Sequence, residues 1–353
     1  MSGRERVRAA LAHEPTDRVP IAMICSGINE PARGRLEAYL RRELGMDVDA
    51  WLARYIDVRE VGPRYVGPAL AEGEDIWGVH RGWTSWGPGS YFEIDHYPLA
   101  AARTGEDLDR HRWPSVDWFD YSVLPARIAA ARSEGDPALI VTNGNIFESA
   151  WYMCGFERTL GDLLEEPGFV RDLLGRVTDY YVSFFRRVLA AANGGVDLVF
   201  TADDIGGQHG LLMSLATWEE LIKPCHRRLN AAIHEFGARV VYHSDGDVMD
   251  AVGGLVDMGI DVLQALQFSA GKMDPAELKR RWGNRIGFEG GVSVQTTLPF
   301  GSVDDVRNEV RMLVSVLGRG GGYILGPSHV IQAGTPPENV VAMFETAAEA
   351  GSV

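Results

Sequence analysis

The run Ala238-Arg239-Val240-Val241-Tyr242-His243-Ser244-Asp245-Gly246-Asp247 decides the fold. Its apolar first half has the length and β-branched content of a buried strand, and its second half is a cluster of polar, metal-capable side chains. The same pattern recurs along the chain. Apolar runs of four to seven residues end in His, Asp, Asn, Gln or Glu and alternate with longer stretches of helical period. That alternation predicts parallel strands with crossover helices, closed into a (β/α)8 TIM barrel whose strand ends share one mouth. Eight strands are expected, near 19–24, 55–61, 138–142, 196–202, 238–242, 260–266, 285–288 and 322–326.

With 353 residues and 46% hydrophobic content, the chain can fill one such barrel as a single domain, 1–353. Residues 62–120 break the pattern. Five of the nine tryptophans (Trp77, Trp83, Trp86, Trp113, Trp118) fall there among glycines and prolines, as expected of an insertion after strand two folded over the mouth. Stacking of a flat substrate on these rings is one reading, and gluing the insertion to the barrel is the plainer one.

A formal net charge of −15, with no Lys/Arg-rich block, disfavours nucleic acid and anionic membranes as partners. Three dispersed cysteines, Cys25, Cys154 and Cys225, encode neither a disulfide framework nor a thiolate zinc cage. The charged N-terminus lacks a signal-peptide core and no run of 18 apolar residues occurs, so a cytoplasmic, soluble protein acting on a small molecule is expected.

The barrel assignment brings the strand ends together on one rim. Cys25 to Asn29 follow the first strand, and Asn29 is either a substrate contact or a helix cap. Asn143 and Glu148 follow the third strand and could hold a ligand. Asp203-Asp204-Ile205-Gly206-Gly207-Gln208-His209 follows the fourth; adjacent side chains diverge there, so one aspartate of the pair should face the pocket. Gln267, Glu289 and His329 end the sixth, seventh and eighth. Gly320-Gly321-Gly322 precedes a strand, where a phosphate-binding loop would follow one, and is a turn.

A single histidine after a strand is usually structural, but two of them with several carboxylates at neighbouring strand ends make a functional site. His243, Asp245 and His329 are a ligand set for Zn²⁺ or another divalent first-row metal, with a coordination position left open for substrate. Asp203, Glu289 and His329 are the candidate catalytic acid/base groups, and Asn29, Asn143, Asp204, Gln208 and Gln267 the candidate substrate contacts. Without a metal, the same histidines could titrate near neutral pH as an acid/base cluster.

Taken in order, Arg4-Glu5-Arg6-Val7, Asp17-Arg18-Val19-Pro20-Ile21, Asp203-Asp204-Ile205-Gly206, His243-Ser244-Asp245-Gly246 and His329 with Thr335-Pro336-Pro337-Glu338-Asn339 resemble the uroporphyrinogen decarboxylase superfamily over essentially the full length. The resemblance implies a (β/α)8 barrel. It also implies one of two chemistries, decarboxylation of a carboxylated tetrapyrrole or zinc-dependent methyl transfer among cobalamin proteins, thiols and folate. His329 matches the decarboxylase's histidine, and Asp57 is a loose match to its catalytic aspartate. Cys25-Ser26-Gly27-Ile28-Asn29 stands where the decarboxylase carries Arg-Gln-Ala-Gly-Arg-Tyr for the substrate carboxylates. The methyltransferase branch holds zinc by His-x-Cys and a later Cys, and His243, Asp245 and His329 stand at the corresponding places.

The expectation is therefore a metal-dependent methyltransferase-type enzyme, corrinoid- or thiol-linked, with a corrinoid protein as a partner. Decarboxylation of uroporphyrinogen or a smaller acid is the alternative, and a non-catalytic corrinoid or tetrapyrrole binder a third. A homodimer is compatible with the family, although no residue marks its face.

Overall fold

In the computed structural model, described for residues 1–24, 26–86 and 89–351, seven strands lie in one parallel sheet in sequential order. We number them β1 (Val58–Glu60), β2 (Ala138–Asn145), β3 (Leu198–Ala202), β4 (Arg239–His243), β5 (Val262–Ala265), β6 (Gly287–Val292) and β7 (Tyr323–Pro327). Each pairs only with its sequence neighbours in that sheet, the arrangement of a barrel wound once around.

The eighth expected strand, 19–24, forms a single parallel bridge, Ile21 with Leu325. Pro20 lacks the N–H that a longer ladder needs. The segment nevertheless links the two sheet edges: Ala22 N–H donates to Leu325 O (2.9 Å), Leu325 N–H to Pro20 O (2.8 Å) and Asp57 N–H to Ile21 O (2.8 Å). The predicted strand 55–61 contracts to β1, while β2 extends past its predicted end with a register shift between Val141 and Gly144.

Alternate residues point into the barrel. Ala22, Ile24, Ile140, Leu198, Phe200, Val241, Val262 and Ile324 form its inner core, distinct from the larger apolar layer between sheet and helices. One step of the two-residue period beyond Val241 and Val262 come His243 and Gln264, so the inner lining turns polar towards the carboxyl ends. Register sets His243 beside Gln264 and Gln264 beside Glu289.

At the opposite end, buried Asp57 accepts from Arg6 (2.6 Å), Arg18 (2.7 Å) and the backbone N–H of Ile21 (2.8 Å). Asp197 and Asp261 likewise accept the backbone N–H of Leu139 (3.0 Å) and Val240 (2.7 Å) while paired to arginines. These aspartates precede their strands, so they brace the floor. Asp57 thus lies at the far end of the barrel from the strand carboxyl ends, contrary to its match to a catalytic aspartate.

Within 62–120 the chain forms a two-residue ladder (Arg64–Tyr65 with Phe119–Asp120), an antiparallel hairpin (His80–Trp86 and Gly89–His96) and the helix Gly105–Arg110. Trp77 is buried, its ring 5.0 Å from Tyr180 on the long helix Pro167–Ala192, whereas Trp83 is 73% exposed. No described helix is long and apolar enough to cross a membrane.

Candidate metal centre

β4 runs apolar up to Tyr242 and delivers His243 at its last position, where the side chain is only 6% exposed. His243 Nδ1 bonds the Gln264 side-chain oxygen, and Gln264 Nε2 donates to Ile24 O (3.1 Å). An amide oxygen only accepts, so Nδ1 donates to it and Nε2 faces the rim. Nε2 lies 3.4 Å from Asp204 Oδ1 and 3.9 Å from Asp245 Oδ1. His329, two residues past β7, brings Nε2 to 3.7 Å from Asp245 Oδ2, and the two imidazole centroids are 6.0 Å apart.

His243, Asp245 and His329 each offer one ligand atom within 4.8 Å of the others. Ligands on one ion at about 2.0–2.2 Å stand roughly 3.3–3.6 Å apart, so the two imidazole–carboxylate pairs would close by a few tenths of an ångström and the widest pair by about 1 Å to seat one. Two nitrogens and one carboxylate oxygen, with a fixed tautomer behind the buried histidine, are a donor set that fits a divalent first-row ion.

The loops after β3 and β4 hold this geometry. Asp204 Oδ1 accepts the Asp245 N–H (2.8 Å), and Ser244 Oγ accepts the Ile205 N–H (3.0 Å) and donates to Asp245 O (3.0 Å). Gly246, at φ +80°, passes so close to Gly206 that a Cβ would lie 2.6 Å from its carbonyl carbon, so only glycine serves. Gln267 accepts the Gly246 N–H (2.9 Å) and reaches Gln208 (3.4 Å), itself exposed. Ala265 and Leu266 take left-handed φ of +89° and +54° at the end of β5, a strained turn that carries the chain to Gln267.

The electrostatics divide the carboxyls. Burial works to raise Asp204, but its bond to His243, the charge of that imidazole and the Asp245 N–H outweigh it and hold the carboxyl low. Asp245 is pushed up, by burial first and by the charge of Asp204, against the pull of His243 and His329. Glu289 is fully buried beside Gln264, neither oxygen has a well-formed hydrogen bond among the described residues, and burial raises it to about 8. Glu148 is raised to about 8 by burial and by the charges of Asp204 and Asp203. Its oxygens are bonded to Asn145 (2.7 Å) and Tyr152 (2.8 Å).

The expected rim is therefore assembled in part. His243, Asp245, His329 and Asp204 converge, with Gln267 alongside. Asp203 turns away: fully buried, it accepts the Glu148 N–H (2.8 Å) and pairs with His226 (2.5 Å) on the helix Lys223–His234, so it braces barrel to helix and does not face the rim. Of the adjacent pair, the residue facing the site is Asp204. Glu289 lies inside the barrel, two strands from His243 with Gln264 between them. Asn29 pairs through its backbone with Ile331 (2.9 Å), and its side chain makes no hydrogen bond to the cluster among the described residues. Asn143 is exposed at φ +80° on another cavity. Cys25 lies outside the described residues. Gln264 was not expected; a glutamine two residues after the inward Val262 was its signal.

A cavity of about 560 Å³ opens beside Asp245 and His329, walled also by Gln267, Gln295, Phe300 and Gln332. A closed parallel barrel carrying an imidazole–carboxylate cluster at its strand carboxyl ends defines a TIM-barrel α/β protein with its site where such barrels keep it. The sequence model of the family Uroporphyrinogen decarboxylase (URO-D) matches residues 94–350. The chain belongs to that family.

Among curated relatives, the uroporphyrinogen decarboxylase of Methylococcus capsulatus is 26% identical over 259 residues, 70% of this chain and 69% of its own. That of Pseudoalteromonas translucida is 22% identical over 351 residues, 95% and 94% of the two chains. Among solved structures, a methyltransferase from Methanosarcina mazei superposes with a TM-score of 0.68 at 20% identity, covering 99% of both chains, which shows a shared fold.

Proposed function

We propose that this chain is a metal-dependent methyltransferase-type enzyme of its family, holding a divalent first-row ion, zinc by preference, through His243, Asp245 and His329. The observation that carries the reading is the three donor atoms within 4.8 Å on one rim, with the buried imidazole fixed from behind by Gln264. When bound, the ion supplies Lewis-acid stabilisation of an anionic nucleophile such as a thiolate. Two neutral imidazoles and one carboxylate leave the ion and its ligands net positive, a charge that Asp204 beside His243 offsets.

The chain's own groups do the positioning. Gln264 keeps the proton on His243 Nδ1, Asp204 anchors the Asp245 loop through its N–H, and Gln267 holds Gly246 beside the cavity. In this reading the neighbouring cavity takes the thiol, and the methyl group comes from a corrinoid carried by a partner protein.

Metal analysis after zinc loading tests this. Wild type should retain close to one equivalent, and His243→Ala and His329→Ala should lose it together with at least about tenfold of any methyl transfer from methylcobalamin to a thiol. Retention below about a tenth of an equivalent by folded wild type would remove the metal. Anaerobic release of CO₂ from uroporphyrinogen by the metal-free protein would replace the reading with decarboxylation.

A further inference from the structure

A second cavity, of about 660 Å³, opens on the carboxyl end of β2 and is independent of the metal reading. Its walls are aromatic on several sides. Tyr180 and Phe184 of the helix Pro167–Ala192 stack at 6.0 Å and 13°, Trp77 meets Tyr180 edge-on at 5.0 Å, and Phe119 packs on Phe184 at 5.1 Å. Burial holds the phenols of Tyr180 and Tyr181 above their ordinary range, so these walls carry no negative charge at neutral pH. Rings lining a slot of this size accept a flat π-system in offset or edge-on contact.

The polar groups on the wall are few and directional. Arg81 lies 5.0 Å over the Tyr152 ring and gives Nη1 to Asp75 (2.7 Å). Asp75 is already occupied by the backbone N–H groups of Trp77 (2.9 Å) and Val79 (3.1 Å), so it serves to aim the guanidinium. The remaining Nε and Nη2 have no protein acceptor among the described residues and form a fork suited to a carboxylate. Asn145, also on the wall, keeps a buried side-chain oxygen that has no donor among the described residues.

The geometry points to a binding site for a planar aromatic carboxylate, its ring between the tyrosine, tryptophan and phenylalanine walls and its acid group on Arg81. Glu148, bonded to the wall residues Asn145 and Tyr152 and within electrostatic reach of Asp204 and His243, separates this site from the metal cluster.

Calorimetry on the full chain, stripped of metal with EDTA, tests the site apart from the proposed function. A naphthoate should bind with a Kd on the order of tens of micromolar, and naphthylmethanol and cyclohexanecarboxylate at least about tenfold more weakly. Arg81→Met should weaken the naphthoate about tenfold and leave naphthylmethanol unchanged. Equal affinity of wild type for naphthoate and naphthylmethanol, or no naphthoate binding at about 1 mM, overturns the assignment. Naphthoate binding that folded Arg81→Met leaves intact does so as well.

Discussion

Glu289 is a carboxyl inside the barrel with no ion pair among the described residues, and burial raises it from an ordinary 4.5 to about 8. A carboxyl raised in this way contributes its stability fully below the unfolded value and loses it as pH climbs to the folded one. Glu289→Gln keeps the shape and removes the ionisation, so its melting temperature should gain on wild type between pH 4.5 and 8 and level off above. Differential scanning calorimetry across that range checks it; a pH-independent difference would mean that the residue is already ionised in the fold. At this scale the sequence disclosed residue types better than directions. Asp203 and Asp204 are chemically identical and adjacent, and which one turns to the rim depends on the His226 partner of the other, 23 residues away. Gln264 is not legible at its own position, because a lone polar residue in an apolar run carries no signal until the inward parity of Val262 is known.

Elements were legible where period and composition agree. The runs that became β3, β4 and β7 are apolar, bounded by glycine or a polar cluster, and lie within a residue or two of their expected places. Where Pro20 removes a donor, an expected strand reduces to a bridge, and in 62–120 the hairpin strands bury none of their described side chains, so no apolar alternation marks them. Packing between elements then adds demands that no local pattern carries. A Cβ on Gly326 of β7 would stand 2.6 Å from Ala22 O and 2.7 Å from Glu289 Oε1, so glycine here makes room for both the closing segment and the buried carboxyl. Gly326→Ala should cost about 1–3 kcal/mol by overpacking. Urea denaturation should show a lower midpoint at unchanged slope; a wild-type midpoint would mean that the closing segment yields without cost.

For the molecule as a whole, the two barrel ends have divided their work. Strand carboxyl ends gather the imidazoles and carboxylates of the candidate centre, while strand starts are held by Asp57, Asp197 and Asp261 with their arginines. Removing Asp57 leaves Arg6 and Arg18 facing each other and frees the Ile21 N–H. Asp57→Ala should cost about 3–5 kcal/mol in chemical denaturation. A loss under about 1 kcal/mol would show that solvent replaces the carboxylate readily.

The seam at 19–24 has a dynamic corollary. Three backbone bonds and one proline-bearing stretch do there what longer ladders do elsewhere around the cylinder. A hoop opens at its weakest stave, so deuterium should enter at the amides of Ala22 and Leu325 ahead of those in the middle of β4, and sooner still once the Asp57 clasp is gone.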